Sequence, residues 1–161
     1  PLCSVEARDN LAAQVARAVA AGATLHCGGK AIEGPGAFYP PTILTRITRD
    51  NPAYFEEFFG PVAMVHVVRD DDAAVDLAND SHFGLSGAVF STNLARAKAL
   101  ASRIETGGVW INTSSATSPE LPFGGVKRSG YGRELSELGI KEFVNHKLVL
   151  VAAGSGAAMN I

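Results

Sequence analysis

The sequence predicts an α/β protein in which an open, mainly parallel sheet carries flanking helices. β-forming runs alternate with helical periodicity in the middle of the chain, in the order strand, helix, strand, helix, strand. This order favours parallel strands joined by right-handed crossovers. Residues 62–68, VAMVHVV, are nearly all β-formers, which is typical of a strand buried on both faces of such a sheet. With 161 residues and 47% hydrophobic content, the chain can enclose a core.

The first elements follow from capping residues and spacing. Ser4 is a candidate N-cap, and Leu11 and Val15 recur at helical spacing in the stretch that ends at Gly22. These features predict an amphipathic helix. After it we predict strands at residues 24–27 and 42–47, and a helical turn at residues 52–57.

The second half of the chain continues the alternation. The acidic run 70–72 suits a helix N-terminus because carboxylates are stabilised at the positive end of the helix dipole. Thr92 and Asn93 suit the start of the next helix. The remaining predicted elements are strands at residues 85–90, 107–112 and 148–151, and a short helix near residues 134–138.

Composition excludes several classes of partner. A net charge of −2 provides no electrostatic attraction for nucleic acid or an anionic membrane, and no apolar run reaches the roughly 18 residues of a spanning helix. The N-terminus does not resemble a signal peptide, so we expect a cytoplasmic protein. Cys3 and Cys27 are therefore expected to be reduced structural thiols, and no Cys or His spacing predicts a metal site.

A long polar loop follows the strand at residues 107–112, where ligands gather at the carboxyl end of parallel strands. The glycine-rich segment 122–134 fits neither the phosphate-binding loop nor the dinucleotide fingerprint. Its glycines are instead expected to allow a close-packed backbone. Because no nucleophile motif is present either, local chemistry indicates a binding surface without a complete catalytic set.

The stretch YFEEFFGPV, residues 54–62, sets Glu56 and Glu57 beside phenylalanines ahead of a predicted strand. On local sequence, either the pair is a solvated helix end or one carboxylate is directed at a ligand.

Four segments, in order, resemble those of NAD(P)-dependent aldehyde dehydrogenases. EEFFGP resembles the motif EE-[IV]-FGP, and GGVWIN resembles G-x-[VI]-x-[VI]-N. ANDSHFGLSGAVFS resembles AN-x-[ST]-x-[YF]-GL-x-[AG]-x-[VI]-[FW]-[ST], and PFGGVKRSGYGRE resembles PFGG-x-K-x-SG-x-GRE. The sequence from residue 118 to residue 143 is most similar to that of bacterial succinate-semialdehyde dehydrogenases.

The resemblance implies that the chain is about the last third of such an enzyme, which agrees with a start at Pro1 rather than at methionine. It implies three parts: residues 1–145 as the later part of the catalytic domain, residues 146–153 as an oligomerisation strand and residues 154–161 as a flexible tail. We therefore expect a homo-oligomer, a dimer or a tetramer. In the family a cysteine forms a thiohemiacetal with the aldehyde and a glutamate activates water. Both are expected upstream, so this chain holds no catalytic residue and is predicted to be inactive alone.

The resemblance also implies binding roles. Glu57 matches the residue that accepts hydrogen bonds from the nicotinamide ribose of NAD or NADP, and Phe59 matches the aromatic beside the nicotinamide. Ser118 matches a position that helps to bind the distal carboxylate of succinate semialdehyde, and Phe123 matches an aromatic of the substrate tunnel. A plain loop serine and a plain core phenylalanine remain the alternatives for these last two. The preference between NAD and NADP is set outside this chain.

Two other functions stay open at this point. The chain could belong to a dehydrogenase for another small aldehyde, such as glutarate semialdehyde or an aliphatic aldehyde. It could also be a non-catalytic oligomerisation or binding module that keeps this part of the fold.

Overall fold

The computed structural model describes residues 1–151, which form two compact units, Pro1–His82 and the residues from Phe83 onward. Helices and strands interleave in both, so the predicted α/β class is confirmed. The predicted tail, residues 154–161, lies outside the described residues. Within the described part, no helix is long and apolar enough to cross a membrane.

The first unit is a three-stranded sheet with two helices. Its elements are α1 (Val5–Ala20), β1 (Thr24–Cys27), β2 (Thr42–Thr45), a 3-10 turn (Pro52–Phe55), β3 (Val62–Met64) and α2 (Asp71–Asn79). The strand order is β1-β2-β3, with β1 antiparallel and β3 parallel to β2. The predicted ends of α1 are confirmed, because the Ser4 hydroxyl accepts the Ala7 N–H at 3.0 Å and Gly22 takes a φ of +100°.

The core of this unit lies between α1 and the sheet. Leu11 and Val15 of α1 are 2% and 1% exposed, and Leu44 of β2 is fully buried. They form one cluster that also includes Ala18, Ala23, Tyr39, Ile47 and Ala53. Burial of each leucine contributes about 1.5–3 kcal/mol, so this cluster is the main source of stability for α1.

The prediction of a strand buried on both faces at residues 62–68 is wrong. β3 ends at Met64, Val65 is 45% exposed and Val67 is 97% exposed. The reason is topological: β3 is an edge strand whose only neighbour in the unit is β2, and Val65 donates the last hydrogen bond to Leu44, at 2.9 Å. A run of β-forming residues shows a preference for extended backbone but not what covers it.

The second unit contains a β-α-β element and a short antiparallel pair of strands that are distant in sequence. Its elements are β4 (Phe83–Gly84), β5 (Ser86–Val89), α3 (Leu94–Ala101), β6 (Gly108–Ile111), β7 (Val126–Lys127) and α4 (Ser136–Lys141). β5 and β6 pair in parallel across α3, as the alternation predicted. β4 and β7 pair antiparallel over two residues each, a length too short to predict from sequence. Of the four strand pairings among residues 1–151, two are parallel and two are antiparallel. The described strands form three small sheets, whereas the sequence predicted one open, mainly parallel sheet.

The strand predicted at residues 148–151 is not formed within the described chain. Leu148 and Val151 are 89% and 85% exposed. A strand needs a backbone partner, and the described residues provide none for this segment. Pairing of residues 146–153 with another subunit therefore stays a prediction.

One buried side chain joins α1 to the 3-10 turn. Asn51 is 2% exposed, and its Nδ2 donates to the Ala18 carbonyl at 2.8 Å. Its Oδ1 accepts the Ala53 N–H at 3.0 Å, which caps the turn. The turn that precedes the two glutamates is thus fixed to the end of α1.

We predict that Asn51→Ala lowers the free energy of unfolding by about 1–3 kcal/mol, because the buried Ala53 N–H is left without an acceptor. Denaturant titration would measure the loss. The matched control is Asn10→Ala on the exposed part of α1, which should change stability by no more than about 0.5 kcal/mol. Equal effects of the two substitutions would contradict this role of Asn51.

Candidate functional site

The two adjacent glutamates of the first unit have different surroundings. The Glu56 carboxylate accepts a hydrogen bond from Gln14 Nε2 at 3.1 Å and forms an ion pair with Arg17 Nη2 at 3.2 Å. Glu57 is exposed, and the described residues provide no hydrogen-bond partner for its carboxylate. Glu56 is therefore a structural residue, whereas both oxygens of Glu57 are free to accept hydrogen bonds.

The two phenylalanines that follow also differ in burial, one being packed and the other exposed. Phe58 packs against the core cluster of α1 and the sheet, whereas Phe59 is 78% exposed. The backbone is extended at Glu56, with φ −85° and ψ 146°, and in extended backbone alternate side chains point to opposite sides. The segment therefore presents Glu57 and Phe59 outward and holds Glu56 and Phe58 inward.

Gly60 allows this segment to lie directly against α1. A Cβ at Gly60 would lie 2.3 Å from Leu11 Cδ2, which is far inside van der Waals contact. The Gly60 N–H also donates to the Phe58 carbonyl at 2.9 Å, which places Phe59 at the tip of a tight turn. A larger residue at position 60 would push the turn away from the helix.

A second network holds the other side of the 3-10 turn, and no motif in the sequence indicates it. The Tyr54 hydroxyl donates to Asp80 Oδ2 at 2.9 Å, and Arg49 forms an ion pair with the same carboxylate. Arg49 also lies 5.3 Å from the ring centre of Phe55, on which His82 stacks at 4.9 Å. Burial, and then the hydrogen bond to Asp80, raise the pKa of Tyr54. The turn is thereby tied to the C-terminal end of α2.

Glu57 and Phe59 together suit a ligand that carries hydroxyl groups beside a planar ring. An ionised carboxylate has two oxygens and can accept both hydrogen bonds of a vicinal diol, while an exposed aromatic ring can pack against a heterocycle. A metal is not indicated: among residues 1–151, His, Cys, Asp and Glu form no group of three or more that could hold an ion.

In the second unit, the glycine-rich segment packs backbone against backbone, as predicted. A Cβ at Gly107 would lie 1.6 Å from the Gly124 carbonyl oxygen, and one at Gly124 would lie 2.5 Å from the Gly132 carbonyl oxygen. Arg133 Nη1 closes the arrangement by donating to the carbonyls of Gly125 and Gly132 at 2.9 Å and 2.6 Å. No side chain can enter these contacts, which explains the glycines at positions 107 and 124, whereas Gly132 is favoured by its φ of +82°.

Phe123 lies beside this packed segment and lines a cavity of about 360 Å³. The Phe123 N–H donates to the Glu134 carbonyl at 2.9 Å, and the Glu134 N–H donates back at 2.8 Å. These two bonds fix the backbone of Phe123, while its half-buried ring faces the cavity. Aromatic and acidic side chains share the cavity wall, among them Tyr131, Phe143 and Glu142.

Ser118 lies in the same unit but does not line that cavity. Its hydroxyl donates to the Glu120 carboxylate, and the bond lowers the pKa of Glu120 because it favours the ionised form. The structure therefore gives Ser118 a neighbouring carboxylate, a contact that sequence reasoning missed although the two residues are two positions apart.

Asn112, at the end of β6, is another residue that sequence reasoning missed. Its Nδ2 donates to the Ser91 carbonyl at 3.0 Å and its Oδ1 accepts the Ser91 N–H at 2.8 Å. With a φ of +58°, it adopts a conformation that asparagine tolerates better than most residues. The amide joins the ends of β5 and β6 just before the long polar loop.

We predict that Ser118→Ala raises the pKa of Glu120 toward its ordinary value, since the hydrogen bond that favours the carboxylate is removed. NMR titration of the Glu120 side-chain carboxyl would measure the change. Ser115→Ala, in the exposed part of the same loop, is the control and should leave the titration unchanged. An unchanged pKa in Ser118→Ala would show that the two side chains do not interact in solution.

Comparison with known proteins places these features in context. Residues 1–149 match the profile described as the aldehyde dehydrogenase family. Over 149 residues, the chain is 57% identical to a succinate-semialdehyde dehydrogenase [NADP(+)] of Deinococcus radiodurans, covering 92% of this chain and 31% of that protein.

Solved structures of aldehyde dehydrogenases are also similar to this chain. The chain superposes with a TM-score of 0.92 and 48% identity on succinic semialdehyde dehydrogenase from Streptococcus pyogenes in complex with NADP+, over 95% of this chain and 34% of that one. It also superposes, with a TM-score of 0.85 and 38% identity, on betaine aldehyde dehydrogenase from Staphylococcus aureus in complex with NAD+, over 89% of this chain and 29% of that one. The chain thus spans about a third of the length of the relatives that it matches.

Proposed function

This chain belongs to the aldehyde dehydrogenase family, and we propose that it works as the C-terminal part of an NAD(P)-dependent enzyme that oxidises succinate semialdehyde to the acid. The observation that carries the proposal is the match of 92% of the chain, at 57% identity, to a relative named for that substrate. Because the chain spans about a third of that relative, we place the nucleophilic cysteine and the general-base glutamate in the remainder. The 161 residues alone are then a positioning part and should show no dehydrogenase activity.

The cofactor-binding part of the proposal rests on Glu57 and Phe59. When bound, NAD or NADP supplies the acceptor for the hydride that the aldehyde loses. Glu57, with both oxygens free, would accept the hydrogen bonds of the ribose hydroxyls, at about 1.5–3 kcal/mol for each charge-assisted bond. Phe59, exposed at the tip of its turn, would pack beside the nicotinamide. Glu56 is excluded from this role because Gln14 and Arg17 already occupy its oxygens.

The substrate part rests on Ser118 and Phe123. Phe123 lines a cavity and can supply apolar surface for the carbon chain of the aldehyde. Ser118 can donate one hydrogen bond to a distal carboxylate only when its hydroxyl leaves Glu120. Since Glu120 is ionised and repels a second carboxylate, positively charged groups from the rest of the enzyme must complete the site.

The same contact favours a second candidate function. A carboxylate beside Ser118 opposes an anionic substrate but not a neutral or cationic one. A dehydrogenase for another small aldehyde is therefore the alternative, and it is separated from the first proposal by substrate preference.

We expect Glu57→Gln in the complete enzyme to raise the dissociation constant of NADPH by about tenfold, because the amide loses the charge and one acceptor. Titration of NADPH fluorescence would measure it, with NADH in parallel. Glu33→Gln, an exposed residue of the same unit, is the control and should bind as the unchanged enzyme does. Unchanged affinity in Glu57→Gln, with thermal stability intact, would remove Glu57 from the cofactor site.

For the substrate, we expect the complete enzyme to have a much higher kcat/KM for succinate semialdehyde than for propanal. Ser118→Ala should lower kcat/KM for succinate semialdehyde by about five- to tenfold and leave propanal unaffected, since only the former has a carboxylate to bind. Ser115→Ala is the control. Equal kcat/KM values for the two aldehydes in the unchanged enzyme would support the alternative function.

A further inference from the structure

One side-chain amide on α1 touches both members of the glutamate pair. Gln14 Nε2 donates to Glu56 Oε2 at 3.1 Å and to the backbone carbonyl of Glu57 at 3.2 Å. Gln14 belongs to no motif that points to function, and it lies 43 positions before Glu57 in the chain. The contact therefore exists only in the folded unit.

The backbone contact matters because, among residues 1–151, Gln14 is the side chain that bonds directly to Glu57. Its carboxylate has no partner among the described residues, so the direction of the side chain depends on the backbone that carries it. On one side, Glu56 is held by Gln14 and Arg17. On the other, Phe58 is packed in the core and Gly60 lies against α1. Gln14 is the side chain that acts on the carbonyl of Glu57 itself.

The two contacts of residue 14 require a side chain that donates two hydrogen bonds. A side-chain amide has two hydrogens and can donate to two acceptors at once, as it does here. A glutamate of the same size would donate neither bond and would add a like charge beside Glu56. A methionine keeps the volume and the helix propensity but cannot donate, whereas the ammonium group of a lysine has three hydrogens and can donate to two acceptors.

We infer that Gln14 is a positioning residue for the cofactor-binding carboxylate, acting through the backbone of Glu57. Its effect on the cofactor rests on the proposed function of Glu57, but its effect on the segment does not. Without Gln14, residues 56–60 sample more conformations, and binding must then restrict them at a cost in affinity. Gln14 itself makes no contact with the ligand.

Two measurements on the complete enzyme test the inference. In Gln14→Met, hydrogen–deuterium exchange of the segment 56–60 should become faster, and the dissociation constant of NADPH should rise by about three- to tenfold. The KM for the aldehyde should stay unchanged. Gln14→Lys should restore both values, because it donates again. Asn10→Met, one helical turn earlier on the exposed part of α1, should change neither.

A background variant separates this inference from the proposed function. If Gln14 acts only through Glu57, Gln14→Met adds little to the loss of NADPH affinity that Glu57→Gln causes, so the two effects are not additive. Faster exchange in Gln14→Met, with NADPH binding unchanged in Glu57→Gln, would refute the proposed cofactor role and support the positioning of the segment.

Two results would overturn the inference. The first is unchanged exchange of residues 56–60 in Gln14→Met. The second is weaker NADPH binding in Glu57→Gln with unchanged binding in Gln14→Met.

Discussion

The close contact between α1 and the segment 56–60 is the constraint on which the first unit depends. Gly60 lies where a Cβ would collide with Leu11, and Phe58 enters the core formed by α1 and the sheet. Asn51 fixes the preceding turn to the end of the same helix. Because these contacts involve Phe58, Gly60 and Asn51, the backbone of the segment is held without any contribution from the side chains of Glu57 and Phe59. This leaves Glu57 and Phe59 available to a ligand.

The adjacent carboxylates show how one structural element can separate two identical side chains by role. Two neighbouring glutamates repel each other unless one of them is compensated. Gln14 and Arg17 compensate Glu56, whose side chain is partly buried against α1, while Glu57 is exposed to solvent. A solvated carboxylate is the better ligand for hydroxyl groups, because its oxygens exchange water for the ligand rather than give up a protein partner.

The second unit achieves rigidity by a different route. Gly107, Gly124 and Gly132 bring backbone segments into direct contact, and Arg133 donates hydrogen bonds to the partly buried carbonyls of Gly125 and Gly132. Phe123 is carried on this scaffold by its backbone bridge to Glu134. Ser118 lies on the loop before it, and its hydroxyl donates to Glu120, so it can donate to another group only in exchange for that bond.

Local signals in the sequence determined the elements: Ser4, Asp70 and Asn93 cap their helices as predicted, and the alternation around α3 gave the parallel pair β5–β6. The motifs determined the family. Local sequence left open which glutamate is directed at a ligand, and the family resemblance indicated Glu57. The physical reason comes from the tertiary structure, because the partners of Glu56 lie up to 42 positions away. The tertiary structure also decided that, within residues 1–151, no second strand covers residues 65–68 and no strand pairs with residues 148–151, and that Ser118 bonds Glu120. Periodicity and propensity describe the backbone of a segment, whereas its neighbours depend on contacts between distant residues.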